Sequence, residues 1–201
     1  MQDKNQTTLD LGALFLRYRE DGDMTSFQSI MDELHTPIFN YLLRLLCNRD
    51  DAEDALQEVW MKVIRQRDNY NDQGKFTSWI YRIAHNHCLD HFRKRKRRME
   101  DSENTGDEGF SVIERTETDE PSPLDALLEQ EQLGVLENAV GELPEAIREV
   151  YILRAVHDVP FKDIAEIQDS PLGTVLSRMH QAVNRLKKLI DFDASPAQEI
   201  V

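Results

Sequence analysis

Apolar residues recur at helical spacing along the first half of the chain, and the alternation typical of a β-strand does not occur. Phe27, Ile30 and Leu34 begin one stripe, which Leu42 continues beyond Pro37. Proline lacks the N–H group that a helix interior needs, so Pro37 either bends this helix or starts a new one. The pattern predicts helices and no sheet.

Two more helices are predicted in this half of the chain. Asp50 or Asp51 can cap the first through a side-chain oxygen that accepts from free backbone N–H groups. Turn-forming residues over 69–74 predict a loop, and the second helix runs into the basic residues 93–98. Residues 9–98 are therefore predicted to form one helical domain.

The composition changes abruptly after this domain. From Glu100 to Glu131 the only basic residue is Arg115, set among many acidic residues with glycines and prolines. Such a segment has few large apolar side chains to bury. Residues 99–123 are therefore predicted to be a flexible acidic linker, either a plain tether or a segment with a partner.

A second helical domain is predicted over residues 124–190, followed by a polar tail, 191–201. Pro160 opens a short helix, and the turn Asp169–Pro171 leads into a longer one, with Ser170 as its predicted N-cap. Two helices joined by a tight turn form the outline of a helix-turn-helix. The predicted fold class is all-α, with two helical domains joined by the linker and a helix-turn-helix in the C-terminal one.

Charge is unevenly distributed along the chain. Asp and Glu outnumber Lys and Arg by 38 to 24, a net charge of −14, which argues against a freestanding nucleic-acid binder. Between Ser170 and Ile190, however, no carboxylate occurs. The preference of helix C-termini for basic residues explains Lys187 and Lys188 but not the polar face before them. The last helix is therefore predicted to contact DNA.

Aromatic residues precede the basic run 93–98. Tyr70 and Phe76 flank the predicted loop, and aromatic rings beside a cationic groove suit unstacked single-stranded bases. Trp79 can join that surface, although its spacing with Ile83 favours the core. An ordinary solvated helix end is the alternative interpretation of the basic run.

Metal binding and catalysis have weaker support. His87 and His91 lie one helical turn apart with Cys88 between them, which can chelate a metal, but no fourth ligand has a recognisable spacing. The carboxylates between Asp50 and Glu58 lie at a helix start, where negative charge is favourable without catalysis. No metal, cofactor or catalytic residue is predicted. Two cysteines, no signal peptide and no membrane-length apolar stretch predict a cytoplasmic protein.

Three segments, in order along the chain, match a known family. Asp51–Trp60 resembles the polymerase-binding helix of extracytoplasmic-function (group 4) sigma factors, which belong to the sigma-70 family. Phe76–Asn86, followed by Asp90 and Arg93, resembles their promoter-melting helix. The segments that resemble their helix-turn-helix are Leu143–Pro144, Asp163–Glu166 and Gly173–Arg178.

The resemblance implies three sets of binding residues. Those facing the β′ clamp helices of core RNA polymerase would be Asp51, Asp54, Gln57 and Glu58. Those at the promoter −10 element would be Tyr70, Ile83, Asn86 and Arg93. Those at the −35 element would be Thr174, Ser177, Arg178, His180, Gln181 and Arg185. The polymerase β flap is a further implied contact.

The resemblance implies an alternative sigma factor that directs promoter-specific initiation, with no enzymatic activity and no small-molecule substrate. It also implies an anti-sigma partner, which can hold the factor at the membrane. Because polymerase brings both domains to the promoter together, we expect weak, salt-dependent DNA affinity of the isolated protein. The alternatives are a polymerase-independent helix-turn-helix regulator and a metal-responsive protein that uses His87, Cys88 and His91.

Two positions depart from the family pattern. Leu176 stands where the family usually has Lys or Arg, and Gln181 stands where a basic residue is common. Both differences remove attraction to phosphate. Leu176 either packs against its own domain or contacts a thymine methyl group.

Overall fold

The computed structural model describes residues 9–71, 74–101 and 134–193, and these residues contain helices and turns but no strand. The helices are α1 (Leu11–Asp21), α2 (Met24–Leu46), α3 (Arg49–Arg65), α4 (Phe76–Asp101), α5 (134–141), α6 (Glu145–Tyr151), α7 (Phe161–Ile167) and α8 (Leu172–Asp193). A 3-10 turn, Arg67–Asn69, follows α3, and a π-helical segment, Ile152–Val156, follows α6. The predicted all-α fold class is confirmed.

The predicted domain boundaries stay a prediction. The predicted linker, 99–123, lies outside the described residues apart from 99–101, the end of α4. The predicted tail, 191–201, likewise lies outside them apart from 191–193, the end of α8.

Helices α1 to α4 pack around an aromatic and aliphatic core. Helix α2 is continuous through Pro37, so the proline does not start a new helix. Helix α3 begins earlier than predicted, and its cap is Asn48, whose Oδ1 accepts from the backbone N–H of Asp51 at 3.0 Å. The prediction that Asp50 or Asp51 caps this helix was therefore wrong. Both carboxylates lie in the first turn, where the helix dipole still favours negative charge.

The helix-turn-helix is formed by α7, a short turn and α8. Asp169 in the turn has a φ of 46°, the left-handed conformation that Asp tolerates better than most residues. The first helical hydrogen bond of α8 runs from the Val175 N–H to the Pro171 carbonyl at 3.2 Å. Helix α8 begins at Leu172, so Pro171, whose carbonyl accepts this bond, is the N-cap residue, and the prediction of Ser170 at that position was wrong. The Ser170 hydroxyl instead donates to the Gln168 carbonyl at 3.1 Å.

The N-terminal helices α1–α4 pack against the C-terminal helices through contacts of α2 and α4 with α6 and α7. The Arg148 guanidinium donates to the Leu45 carbonyl at 2.9 Å, at the end of α2. The Lys75 ammonium, just before α4, lies 3.2 Å from an Asp163 oxygen and 2.6 Å from a Glu166 oxygen, both on α7. This packing brings α4 beside the turn of the helix-turn-helix.

Candidate nucleic-acid and protein interfaces

The polar face of α3 is the first candidate interface. A buried apolar face, which includes Val59 at 0% exposure, fixes the rotation of the helix and leaves Asp54, Gln57 and Glu58 exposed. Asp51 lies at the edge of this surface, half-buried, with one oxygen 3.3 Å from His91 Nε2 on α4. Three of the four predicted residues thus share a free acidic surface, whereas Asp51 also ties α3 to α4.

The predicted −10 residues divide into buried and exposed pairs. Tyr70 is 4% exposed, and its ring lies 5.3 Å from the Phe15 ring and 4.9 Å from the Trp79 ring, centroid to centroid. Ile83 is also buried. Asn86 is exposed on α4, one turn beyond.

Arg93, the fourth predicted −10 residue, lies further along α4. It is exposed, and its guanidinium lies 3.4 Å from an Asp90 oxygen. It begins the basic run 93–98, in which every residue is exposed. The exposed end of α4 is therefore strongly cationic in a protein that is acidic overall.

A groove of about 500 Å³ separates α4 from the helix-turn-helix. Asn86 and Arg93 line one wall, and Gln168 and Asp169 of the turn line the other. The residues predicted for one DNA element therefore face the turn that precedes the helix predicted for the other. This juxtaposition depends on packing between helices far apart in the chain, so helical periodicity does not predict it.

The exposed face of α8 carries most of the predicted −35 residues. Ser177, His180, Gln181 and Arg185 are exposed, and Thr174 is half-buried. The Gln181 amide donates to the Ser177 hydroxyl at 3.3 Å, one turn apart. These side chains form a continuous polar surface of donors and acceptors, of the kind that contacts base edges and phosphates.

Arg178, also predicted at the −35 element, has partners inside the helix-turn-helix. Its guanidinium donates to the Gln168 side-chain oxygen at 2.7 Å and to the Ser170 hydroxyl at 3.2 Å. Arg178 is half-buried. In this arrangement it fixes the turn relative to α8.

A buried polar cluster joins the two sets of helices, and sequence reasoning missed it. Glu149 on α6 is 4% exposed. One of its oxygens lies 2.6 Å from the Tyr41 hydroxyl and 2.7 Å from His85 Nδ1, and the other accepts from the Gln168 amide at 2.7 Å. The three partners come from α2, α4 and the helix-turn-helix. The only sequence signal is a carboxylate between the buried positions Ile147 and Val150.

The candidate metal ligands are not assembled into a site. Burial raises the pKa of the Cys88 thiol, which disfavours the thiolate that metals bind. His91 is paired with Asp51. Within 9–71, 74–101 and 134–193, no group of three or more His, Cys, Asp or Glu side chains is arranged to hold a metal ion.

None of the helices in the described residues combines the length and the apolar character that crossing a membrane requires.

Two family models match successive parts of the chain. The model of Sigma-70 region 2 matches residues 30–98, and the model of Sigma-70, region 4 matches residues 133–186. The first match contains the α3 surface and most of α4. The second contains α7, the turn and most of α8.

Individual proteins match over most of the chain. The ECF RNA polymerase sigma factor SigW of Bacillus subtilis is 32% identical over 168 residues, 83% of this chain and 90% of that protein. The RNA polymerase sigma-H factor of Pseudomonas aeruginosa is 29% identical over 170 residues, 84% of this chain and 88% of that protein. The sigma factor RpoE of Bartonella quintana, solved with the anti-sigma factor NepR, has the same fold, with a TM-score of 0.69. That match covers 83% of this chain and 98% of the other, at 24% identity.

Proposed function

This chain belongs to the extracytoplasmic-function sigma factors of the sigma-70 family, and we propose that it binds core RNA polymerase and carries it to a specific set of promoters. The observation that carries the proposal is the succession, on one chain, of an acidic α3 face, a cationic α4 and a helix α8 that has no carboxylate between Leu172 and Ile190. Neither a catalytic step nor a cofactor is part of the proposed function.

The α3 surface is the proposed contact with the β′ clamp helices. Asp54, Gln57 and Glu58 are exposed together, and an exposed acidic patch steers association with a basic partner. Asp51 contributes to the same face while its contact with His91 holds α3 against α4. The C-terminal helices are the proposed contact with the β flap.

Helix α4 and the loop before it are the proposed −10 surface. Asn86 and Arg93 can reach DNA directly because both are exposed. Tyr70 and Ile83 are buried, so their proposed part is to form the wall and floor of a pocket for an unstacked base. Extrusion of a base costs a few kcal/mol, and a pocket that selects the base makes melting depend on sequence.

Helix α8 is the proposed −35 reader, with Ser177, His180, Gln181 and Arg185 on its exposed face. In a helix-turn-helix, the N-terminal part of the second helix enters the major groove. Arg178 reaches DNA only if it exchanges its bonds to Gln168 and Ser170 for bonds to the promoter.

The packing of α4 against the helix-turn-helix supports a non-initiating arrangement. The −10 and −35 elements occupy separate positions on the duplex, whereas here Asn86 and the turn residue Gln168 line one groove. We propose that the two sets of helices separate on polymerase, and that a cytoplasmic anti-sigma partner, free or membrane-held, opposes this separation. One relative of the same fold, RpoE of Bartonella quintana, was solved with an anti-sigma factor.

Transcription from a promoter library tests the proposal. Purified core polymerase is supplied with the full chain, and start sites are mapped with and without it. Discrete new start sites that share −35 and −10 sequences are the expected result. The matched control is the Arg17→Ala variant, because Arg17 is an exposed basic residue on α1, outside the proposed surfaces of α3, α4 and α8. Failure to bind core polymerase, with tight binding of duplex DNA alone, would contradict the proposal.

A further inference from the structure

Two leucines project from the start of α8, on the helix proposed to enter the major groove. Leu172 is 39% exposed and Leu176 is 46% exposed. They are four residues apart, so they lie one above the other on the same side of the helix. The core contacts of α8 are made by other side chains, among them Val175 and Ala182, both 0% exposed.

This placement excludes one of the two interpretations of Leu176. A leucine that packed against its own domain would be buried like Val175, whereas nearly half of Leu176 is open to solvent. Leu172 extends the apolar surface towards the N-terminus of α8. The helix therefore begins with a small apolar patch that its own fold does not cover.

The surroundings of the patch indicate its occupant. The next exposed residues on α8 are Ser177, His180 and Gln181, which suit phosphates and base edges. The segment 170–190 contains no carboxylate that would repel DNA. In the major groove, the apolar feature that a base pair offers is the C5-methyl group of thymine.

We propose that Leu176, with Leu172 beside it, is a specificity-determining residue that packs against thymine methyl groups in the −35 element. This inference rests on the proposed function and adds the identity of a base that the helix selects. A basic residue at position 176 attracts phosphate on any sequence, whereas leucine gains only where a methyl group is present. The substitution therefore exchanges general affinity for selectivity.

Replacement of thymine by uracil tests the inference, because it deletes only the methyl group. A promoter obtained from the library is prepared with deoxyuridine at each −35 thymine in turn. Open-complex formation by core polymerase with the full chain is then measured. We expect a loss of about fourfold at one or two positions, the size expected when a single methyl group no longer leaves water.

Protein variants complete the test. The Leu176→Ala variant is expected to initiate equally well on thymine and uracil promoters. The Leu176→Met variant keeps a long apolar side chain, so it is expected to keep the preference for thymine promoters. The control is Met24→Ala, because Met24 is an exposed apolar residue on α2. This variant should keep the full difference between thymine and uracil promoters.

Three outcomes separate the possibilities. Uracil promoters that are used as well as thymine promoters by the unaltered chain would overturn the inference and leave the proposed function intact. Equal loss by Leu176→Ala on both promoters, with no uracil effect in the unaltered chain, would assign the leucines to a protein contact. Absence of initiation at every promoter would contradict both the proposed function and this inference.

Discussion

Tyr41 and Glu149 are 108 positions apart in the chain, yet the Tyr41 hydroxyl donates to a Glu149 oxygen at 2.6 Å inside the protein. Burial, and then the Glu149 charge, raise the pKa of Tyr41 well above its usual value. The phenol therefore stays protonated and remains a donor. A buried carboxylate is costly unless it is well hydrogen-bonded, and Tyr41 is one of three groups that meet this need.

Removal of Glu149 is expected to loosen the packing between the N-terminal and C-terminal helices. In the Glu149→Ala variant, the Tyr41 hydroxyl, the His85 ring and the Gln168 amide lose a buried partner. Each unsatisfied buried group costs about 1–3 kcal/mol. We expect the free energy of unfolding in urea to fall by at least about 2 kcal/mol.

The control for this prediction is Glu142→Ala, which removes an exposed carboxylate just before α6. It should change the free energy of unfolding by less than about 0.5 kcal/mol. Small-angle scattering of both variants adds a measure of shape, and Glu149→Ala is expected to have the larger radius of gyration. Equal stability and equal radius in the two variants would show that the cluster does not hold the helices together.

The sequence predicted best what depends on neighbours in the chain. The apolar stripe of α3 sets the rotation of that helix, so the exposure of Asp54 and Glu58 could be read from spacing alone. The polar face of α8 could be predicted from residue spacing in the same way. Helix ends were harder, because Asn48 and Asp50 are both good caps and the choice between them depends on where the chain leaves α2.

Features that depend on distant contacts could not be predicted. The burial of Tyr70 is one example, because Phe15 on α1 and Trp79 on α4 enclose its ring. The partners of Glu149 come from three different elements, and helical periodicity contains no information about which faces meet. The arrangement of α4 beside the helix-turn-helix is hidden from sequence for the same reason.

Charge reversal on α3 is expected to weaken binding to core polymerase. The double variant Asp54→Lys/Glu58→Lys puts positive charge where the proposed partner surface is basic, and like charges across an interface cost several kcal/mol. We expect the Kd for core polymerase to rise by about tenfold or more. Fluorescence anisotropy of the labelled full chain measures it.

A matched charge reversal on α2 provides the control. Asp32→Lys/Glu33→Lys makes the same change in net charge at two exposed positions outside the proposed interface. Its Kd should stay close to that of the unaltered chain. If both double variants weaken binding equally, the effect belongs to net charge and not to the α3 surface.

Arg185 is expected to contribute to promoter affinity through phosphate. It is exposed on α8, and loss of one phosphate contact lowers the dependence of log affinity on log salt by about one. We predict this smaller slope for Arg185→Ala when promoter binding by the polymerase complex is titrated between about 50 and 200 mM salt. Arg17→Ala should keep the original slope. An unchanged slope in Arg185→Ala would show that Arg185 makes no phosphate contact.

His157, at the end of the π-helical segment, is expected to make stability depend on pH. Burial, and then the nearby charge of Arg44, lower the pKa of His157 from 6.5 to about 4. Between these pH values the unfolded chain binds a proton at this position and the folded protein does not. The stability due to neutral His157 is therefore present above pH 6.5 and is lost as the pH falls towards 4.

The His157→Gln variant isolates this contribution, because carboxylates and other histidines also titrate in the acidic range. Glutamine cannot take up the proton. As the pH is lowered, the free energy of unfolding should therefore fall less steeply in the variant than in the unaltered chain. The exposed His35, replaced in the same way, is the control and should leave the slope unchanged. Urea unfolding at pH values from 7 to 4.5 measures the three slopes. Parallel curves for all three proteins would mean that His157 is protonated as readily in the folded state as in the unfolded chain.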